Sequence, residues 1–511
     1  MKGPTGPPTA PADPAPTGLE TAVRQTLRGA MEVFRDDPVV VDGMRSALAR
    51  FDEPLRIAIA GKVKAGKSTL LNALVGERIA PTDAGECTRV VTWYRHGVTP
   101  RIEVVPRDAP ARTLPVHRRN GRLVVGLGGR QPDEIEKLVV DWPVTVLRSQ
   151  TLIDTPGIGS LSTDVSARSV AFLAPEDRPS EADAIVYLLR HLHSSDLNFL
   201  ESFHDQAAGV ATSINAIGVL SRADEIGAGR LDALISAKQV ARRYGTDPTL
   251  RQLCQTVVPV AGLIAETGRT LRQSEFTALT TLAGLDRART EAMLLSVDRF
   301  VRADLPAGPS SEIRREMLDR FGLFGIRLAL VLIRAGVVDA TVLAGELVDR
   351  SGLRQLRELL VNQFAERRTV LKARSALLAL QRTLTERPRR SAQGVSESVQ
   401  RILAGAHEFR ELALLRELRL PDAVLPADAA TEAEQLLGGA GTSARRRFGL
   451  PDGTPDDEVR IVVREAIRRW RARAHSPLTD RTTADACQVV VRSCEGVLAD
   501  LSPLTRSLAT H

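Results

Sequence analysis

One stretch of eight residues constrains the fold of this chain more than any other: Gly61-Lys62-Val63-Lys64-Ala65-Gly66-Lys67-Ser68. It fits the pattern Gly-x-x-x-x-Gly-Lys-Ser/Thr and lies between a β-rich run at 55–60 and a helical run that begins at Thr69. A loop in that position surrounds a phosphate group with backbone N–H groups. We therefore predict that Lys67 contacts the β- and γ-phosphates of a nucleotide and that Ser68 binds Mg²⁺. The residues predicted to contact the nucleotide here are Gly61, Val63, Lys64, Ala65, Gly66, Lys67, Ser68 and Thr69.

The pattern of apolar residues divides the chain into two kinds of structure. Short β-rich runs alternate with helical stretches, at 55–60, 90–94, 101–105, 122–126, 151–154, 184–189, 216–220 and 256–260. This alternation predicts an α/β domain with a mainly parallel sheet, and the turn-forming residues at 106–133 predict an insertion or a hairpin. After about residue 305 only helical periodicity remains, which predicts an elongated α-helical bundle stalk.

This division predicts the domain boundaries. Residues 1–17 are proline-rich and are expected to form a disordered tail, and 18–52 are expected to form helices that join the helical neck. A nucleotide-binding domain is predicted over 53–300, and a helical neck and trunk over 301–511. The apolar segment 321–333 contains Arg327 and is too short to cross a membrane, so we predict that it is a buried trunk helix. No transmembrane helix is expected.

A second motif, Asp154-Thr155-Pro156-Gly157, follows the β-rich run at 151–154. A carboxylate at the end of that strand lies beside the phosphate loop, where Asp154 is predicted to hold Mg²⁺. Gly157 can place its backbone N–H on the γ-phosphate and can change conformation when that phosphate leaves.

A third motif, Ser221-Arg222-Ala223-Asp224, stands where nucleotide-binding proteins that select guanine carry Asn/Thr-Lys-x-Asp. Asp224 is predicted to accept hydrogen bonds from guanine N1 and N2, which adenine does not supply, so GTP and GDP are the expected ligands. Arg222 replaces the usual lysine, and its planar guanidinium can stack over the base. Ala261, after the run at 256–260, is a candidate for a further loop that contacts the base.

A threonine between the first two motifs is expected to bind Mg²⁺ and to position the attacking water through its carbonyl. The segment at 81–89 offers two threonines. We predict that Thr88 has this role, with Thr82 as the alternative.

These motifs, in this order, resemble those of the dynamin superfamily of large GTPases. The segments at 65–70, 81–83, 88–92, 221–230, 323–327 and 438–443 look closer still to bacterial dynamin-like GTPases, namely the actinobacterial isoniazid-inducible protein C type and the streptomycete dynamin-like proteins. The resemblance implies a GTPase with a helical neck and trunk. It also implies assembly with itself or with a dynamin-like paralogue, and binding or remodelling of membranes.

The phosphate loop departs from the dynamin pattern at two positions. Val63 takes the place of a glutamine that supports the attacking water, and Lys64 takes the place of a serine beside a bound monovalent cation. We hypothesise that the Lys64 ammonium replaces that cation in the transition state, because positioned positive charge is the main need of phosphoryl transfer. The alternative is that Lys64 points to solvent or to an acidic partner. The catalytic residues predicted in total are Lys67, Thr88, Lys64 and Gly157.

The basic charge of the chain, a formal net charge of +7, suits an anionic surface. Arg387, Arg389 and Arg390 lie between two long helical tracts, so a tip near 385–395 is expected to bind anionic lipid headgroups or a partner. A solvated loop is the alternative. We expect a cytoplasmic protein that is peripheral at the inner face of the cell membrane, and no nucleic-acid partner.

Two other functions compete with a membrane-remodelling GTPase. A GTP-switched scaffold would recruit division or envelope proteins without reshaping lipid, and the sequence barely separates it from the first reading. A GTPase that binds RNA should carry a basic module with interleaved aromatic residues. Only 4% of this chain is aromatic, which argues against that class.

Overall fold

The computed structural model describes residues 18–81, 89–119, 121–157, 180–206, 215–230, 232–305, 308–419, 424–439 and 441–501. Two compact units emerge. One takes in the described residues of Met1–Glu53 and Thr369–Phe409, and the other those of Pro54–Arg368 and Arg410–His511. The predicted tail at 1–17 lies outside the described residues. The predicted domain boundaries stay predictions.

The larger unit is built on a nine-stranded sheet. Its strands are β1 Leu55–Gly61, β2 Thr92–His96, β3 Arg101–Pro106, β4 Arg112–Leu114, β7 Ile135–Trp142, β8 Gln150–Asp154, β9 Ala184–Leu189, β10 Ala216–Ser221 and β11 Val257–Val260. Strands β5 His117–Arg119 and β6 Arg122–Val124 form a separate hairpin. The order in the sheet is β11-β10-β9-β1-β8-β2-β7-β3-β4.

Five neighbouring strands of the sheet, from β11 to β8, run parallel. Their carboxyl ends therefore meet at one edge, which is where open α/β sheets bind ligands. Strand β2 is antiparallel to β8, so the direction changes there. The mainly parallel α/β class predicted from the sequence is confirmed.

The sequence prediction missed strand β7, although it pairs with β2 on one side and β3 on the other. Charged residues among the apolar ones disguise it. Lys137, for example, lies over the ring of Trp93, with 4.9 Å between the ammonium and the ring centroid. An apolar stem packed in this way hides a buried strand from hydrophobic periodicity.

Helices cover the sheet and make up the rest of the larger unit. They are α3 Lys67–Val75, α4 Val146–Ser149, α5 Ser194–Gln206, α6 Ala233–Thr246, α7 Pro248–Leu253, α8 Gly262–Arg269, α9 Gln273–Ala283, α10 Arg287–Met293, α11 Val297–Arg302, α12 Ser311–Arg334, α13 Ala340–Arg350, α14 Leu353–Leu359, α18 Ala427–Leu436, α19 Ala444–Arg447, α20 Asp456–Ala474 and α21 Arg481–Asp500. Two further helices lie only partly in this unit. It contains the start of α15 Arg368–Glu386 and the end of α17 His407–Glu417.

The apolar segment 321–333 lies in α12. The helix is broken at Gly322, where φ is +62°, and the rest of the segment follows this break. Phe321 and Ile326 are fully buried and belong to the same core cluster as Ile153 and Ile185 of the sheet. The prediction of a buried helix is confirmed. The helix packs against the domain that contains the sheet. No helix among the described residues is long and apolar enough to cross a membrane.

The smaller unit contains α1 Gly18–Val33, α2 Pro38–Asp52, most of α15, and α16 Gln393–Gly405. The turn between α15 and α16 carries the predicted arginine tip. Arg387 forms an ion pair with Asp37, and Arg389 pairs with Asp36 while its guanidinium lies 4.6 Å from the ring centroid of Phe34. These contacts hold the pKa values of Asp36 and Asp37 below the usual range. Two of the three tip arginines are therefore already paired with carboxylates.

Candidate functional site

The phosphate loop between β1 and α3 depends on residues with left-handed backbone conformations. Gly61 has φ +144°, and an added Cβ would lie 2.5 Å from the carbonyl oxygen of Leu188 on β9. Gly66, which caps α3, has φ +97°. Lys64 has φ +61°, a conformation that non-glycine residues seldom adopt. The loop therefore curls tightly at the carboxyl end of β1.

Lys67 folds back across the phosphate loop. Its Nζ donates to the carbonyl oxygens of Gly61 and Lys62, each at 3.2 Å. Burial lowers the pKa of the Lys67 ammonium, an effect that the nearby Asp154 carboxylate opposes. A positive charge thus stands inside the loop, where the phosphates of a nucleotide are expected.

Ser68 and Asp154 come together beside Lys67, as the sequence predicted. The Ser68 hydroxyl donates to Asp154 Oδ2 at 2.8 Å, and Asp154 Oδ1 is buried without a hydrogen-bond partner among the described residues. Burial raises the pKa of Asp154, although Lys67 and Ser68 oppose the shift. A hydroxyl and a carboxylate with an unsatisfied oxygen form the hard oxygen donor set that Mg²⁺ takes up together with substrate phosphates. The residues present fit this ion.

Gly157 lies against Val63 of the phosphate loop. A Cβ added at Gly157 would be 2.5 Å from Val63 Cγ2 and 2.8 Å from Val63 Cα. Glycine is therefore required at this position for the segment to approach the loop closely. The preceding Thr155 is anchored to β1, because its hydroxyl donates to the Ile59 carbonyl at 2.9 Å.

A buried carboxylate that the sequence analysis missed holds the second residue of the loop. Asp196 in the first turn of α5 pairs with Lys62 at 3.2 Å and accepts from the Tyr187 hydroxyl at 2.8 Å. Asp196 is only 1% exposed, and its proximity helps to raise the pKa of Tyr187, after burial. Polar residues directly after strand β9 were the available signal, but the loop residue Lys62 that Asp196 pairs with is distant in sequence.

A cavity of about 180 Å³ opens next to the phosphate loop. Its walls come from the loop and α3, from the ends of β9 and β10, and from the segment after β11. The lining residues are Ala65, Gly66, Thr69, Leu70, Leu188, Val219, Ser221, Arg222, Asp224, Glu225, Val260, Gly262 and Leu263. Motifs more than 150 residues apart in the sequence therefore meet in one cavity.

Asp224 and Arg222 line this cavity, and their contact with a guanine base stays a prediction. Burial raises the pKa of the Asp224 carboxyl. Arg222, with φ +52°, donates through Nη2 to the Lys64 carbonyl at 3.0 Å and through Nη1 to Glu225 at 2.7 Å. Glu225 also accepts from Arg190 at 2.6 Å. Arg222 thus connects Glu225, at the Asp224 end of the cavity, with the phosphate loop.

Ser221 replaces the asparagine or threonine of the guanine motif and has a structural contact. Its hydroxyl donates to the Leu189 carbonyl at 3.2 Å, which ties the end of β10 to the end of β9. Ala261 does not line the cavity, because its side chain is fully buried and its N–H donates to the Ser351 carbonyl at 2.9 Å. The next two residues, Gly262 and Leu263, line the cavity instead.

The remaining predicted site residues are either outside the described part of the chain or exposed at the loop. Thr88 and its alternative Thr82 lie outside the described residues. The Lys64 side chain is exposed, and its ammonium forms no ion pair or hydrogen bond with the described residues. Val63 is 45% exposed at the rim of the loop.

Comparison with known proteins identifies relatives of this chain. The dynamin family model matches residues 57–206. The isoniazid-induced protein IniC of Mycobacterium tuberculosis is 44% identical over 486 residues, which covers 94% of this chain and 98% of that protein. The bacterial dynamin-like protein of Nostoc punctiforme is 28% identical over 26% of this chain and 20% of its own length.

Solved structures of an oligomerised bacterial dynamin pair also align with the chain. One covers 96% of this chain and 74% of its own, with a TM-score of 0.31 and 13% identity. The family assignment itself depends on the nearly full-length match to IniC and on the family model. With its phosphate loop and guanine motif gathered at one cavity, this chain belongs to the bacterial dynamin-like GTPases of the IniC type, as its motifs predicted, and it hydrolyses GTP.

Proposed function

We propose that this protein binds GTP together with Mg²⁺ and couples hydrolysis to assembly with itself or with a dynamin-like paralogue, and to binding of an anionic membrane surface. The observation that carries the proposal is that Asp224 and the phosphate loop line one cavity, while Ser68 and Asp154 pair next to Lys67. The proposed location is the inner face of the cell membrane, as a peripheral protein.

The residues of the site divide the work between binding and chemistry. Lys67 contacts the β- and γ-phosphates after exchanging its carbonyl partners for phosphate oxygens. Ser68 and Asp154 would hold Mg²⁺, and the bound ion would supply charge neutralisation on the phosphates. The Gly157 N–H donates to the γ-phosphate, and Thr88, or alternatively Thr82, positions the attacking water. Asp224 and Arg222 hold the base.

Lys64 is proposed to supply the transition-state charge that a monovalent cation supplies in dynamins. Its exposed ammonium and left-handed backbone at the loop support this role. We expect Lys64→Ala to lower kcat about tenfold or more with little change in KM, because positioned charge acts mainly on the transition state. Turnover of the wild type should not change when K⁺ is replaced by a bulky organic cation. Hydrolysis by Lys64→Ala at the wild-type rate would contradict the role.

Self-assembly is tested by measuring GTP turnover per molecule at rising protein concentration, with Lys67→Ala and ATP as controls. Turnover that rises with concentration is expected if GTPase domains stimulate one another on pairing. Flat, slow turnover with tight GTP binding would favour an enzyme that needs a paralogue or a membrane, or a scaffold.

A GTP-switched scaffold is the second candidate, and the paired arginines of the predicted tip favour it. Because Asp37 and Asp36 already bind Arg387 and Arg389, lipid headgroups must compete with these carboxylates. Co-sedimentation with vesicles of anionic phospholipid separates the two candidates: a membrane-binding enzyme sediments with the vesicles, and a scaffold stays in the supernatant.

A further inference from the structure

The corner between helices α13 and α14 lies against the end of β11, whose Val260 lines the cavity. Gly352 at this corner has φ +82°, and an added Cβ would collide with the Pro259 carbonyl oxygen of β11. The neighbouring Ser351 is 1% exposed and accepts the Ala261 N–H at 2.9 Å. Residues about 90 positions further along the chain therefore fix the segment that lines the cavity.

The hydrogen bond to Ser351 decides which backbone donors remain for a base. Because the Ala261 N–H is occupied, the next donors are those of Gly262 and Leu263, which line the cavity. They belong to the first turn of α8, where N–H groups have no acceptor within the helix, and Ala261 provides no side-chain cap. Guanine presents a carbonyl oxygen at position 6 that accepts from such N–H groups, whereas adenine presents an amino group that repels them.

Helix α13 also presses on α8 along its length. A Cβ added at Gly268 would lie 2.9 Å from Val348 Cγ2 and 3.2 Å from Leu347 Cβ, so the two helices are in close contact. Leu347 is fully buried. Helix α8 is thus held at both ends: the corner fixes its first turn, and α13 packs on its last turn.

We propose that the Ser351–Gly352 corner is a specificity-determining positioning element, which fixes the first turn of α8 so that its N–H groups read the 6-carbonyl of guanine. This inference rests on the proposed guanine site, and it adds a second reader to Asp224. Asp224 senses N1 and the 2-amino group, and the corner sets the readout of the 6-carbonyl. Inosine nucleotides separate the two, because they keep the 6-carbonyl and lack the 2-amino group.

The experiment measures Kd for GDP, IDP and ADP with the full chain and two variants. Gly352→Ala introduces the collision with Pro259, whereas Gly345→Ala is the matched control, since Gly345 lies in α13 with open space around its Cα. We expect Gly352→Ala to lower the ratio of ADP Kd to GDP Kd about tenfold, which is the size expected for one misplaced hydrogen-bonded group. The ratio of IDP Kd to GDP Kd should stay the same, and Gly345→Ala should match the wild type.

The outcomes separate this inference from the function on which it rests. If wild type shows no preference for GDP over ADP, both the guanine site and this inference are refuted. If wild type prefers GDP and folded Gly352→Ala keeps that preference, the inference alone is refuted. Uniform weakening of all three nucleotides also refutes it, because a merely structural role would not change selectivity.

Hydrogen exchange of the wild type decides the question if Gly352→Ala does not fold. Peptides covering 346–356 should exchange more slowly when GDP binds, and those covering 456–474 in the same unit should not change. Slowing by GDP confined to the phosphate loop and 257–263, with 346–356 unaffected, would overturn the inference.

Discussion

The two ends of the nucleotide site are built in opposite ways. At the phosphate end, consecutive residues of one loop provide the backbone curl, Lys67 and Ser68, and Asp154 comes from the end of β8. At the base end, the cavity walls come from the ends of β9 and β10, from the segment after β11, and from the α13–α14 corner behind it. One end is a local structure, and the other exists only after the sheet and helices have packed.

This difference predicts how each end responds to substitution. The phosphate end contains two buried ionisable groups. Burial lowers the pKa of Lys67 and raises the pKa of Asp154. Loss of one such charge should affect catalysis strongly and regardless of the base. The base end distributes recognition over several contacts, so single changes there should alter selectivity more than turnover.

The largest effect is expected for Lys67→Ala. Removal of the Lys67 ammonium, which folds back across the loop, should lower GTP turnover about a hundredfold or more, as for loss of a preorganised group in phosphoryl transfer. The measurement is steady-state phosphate release. Lys238→Ala, an exposed lysine on α6, is the control, and equal activity of the two variants would contradict the proposed role.

Asp224→Asn should lower selectivity for GDP over ADP about a hundredfold, since two hydrogen bonds to a charged acceptor are lost or reversed. The ratio of Kd values from calorimetry tests this, with Asp232→Asn as a matched exposed control. Unlike Lys67→Ala, this variant should keep most of its turnover at saturating GTP. A selectivity equal to that of the wild type would show that Asp224 does not read the base.

Acidification should weaken GDP binding through Asp224. Its pKa in the free protein is raised by burial, and only the carboxylate accepts from N1 and N2. GDP affinity should therefore be flat above this raised pKa and fall about tenfold per pH unit below it. Asp154 also has a raised pKa, so the Asp224→Asn variant serves as the reference. An identical pH profile for the wild type and this variant would exclude Asp224 as the titrating group.

The smallest effect is expected for Arg222→Ala, which removes the contact that joins the two ends. Loss of the hydrogen bond to the Lys64 carbonyl should weaken GDP binding about fivefold, because the net value of such a bond is about 1 kcal/mol. Arg190→Ala is a close control, since Arg190 pairs with the same Glu225 without contacting the phosphate loop. Equal weakening in both variants would assign the effect to Glu225 instead.

The structure places residues together as the sequence predicted where the signal was local, while their roles stay predictions. The phosphate loop, Asp154 and Asp224 each follow a β-rich run directly, and parallel strands bring such positions to one edge. The sequence prediction missed β7, whose charged residues conceal its apolar ones, and Asp196, whose partner Lys62 lies far from it in sequence. Nor did it anticipate that Arg387 and Arg389 of the predicted tip pair with Asp37 and Asp36, which lie in the turn between α1 and α2.

The sequence by itself determined that the chain has a phosphate loop, a mainly parallel sheet and a guanine motif, because each depends on residue types at short, fixed spacings. Only the tertiary structure decided that Ala261 gives its N–H to Ser351, that Arg222 reaches the Lys64 carbonyl, and that Gly157 touches Val63. These contacts join segments about 90 to 160 residues apart. No local pattern encodes such pairings, since they arise when packing of the whole unit brings the strand ends and helix corners together.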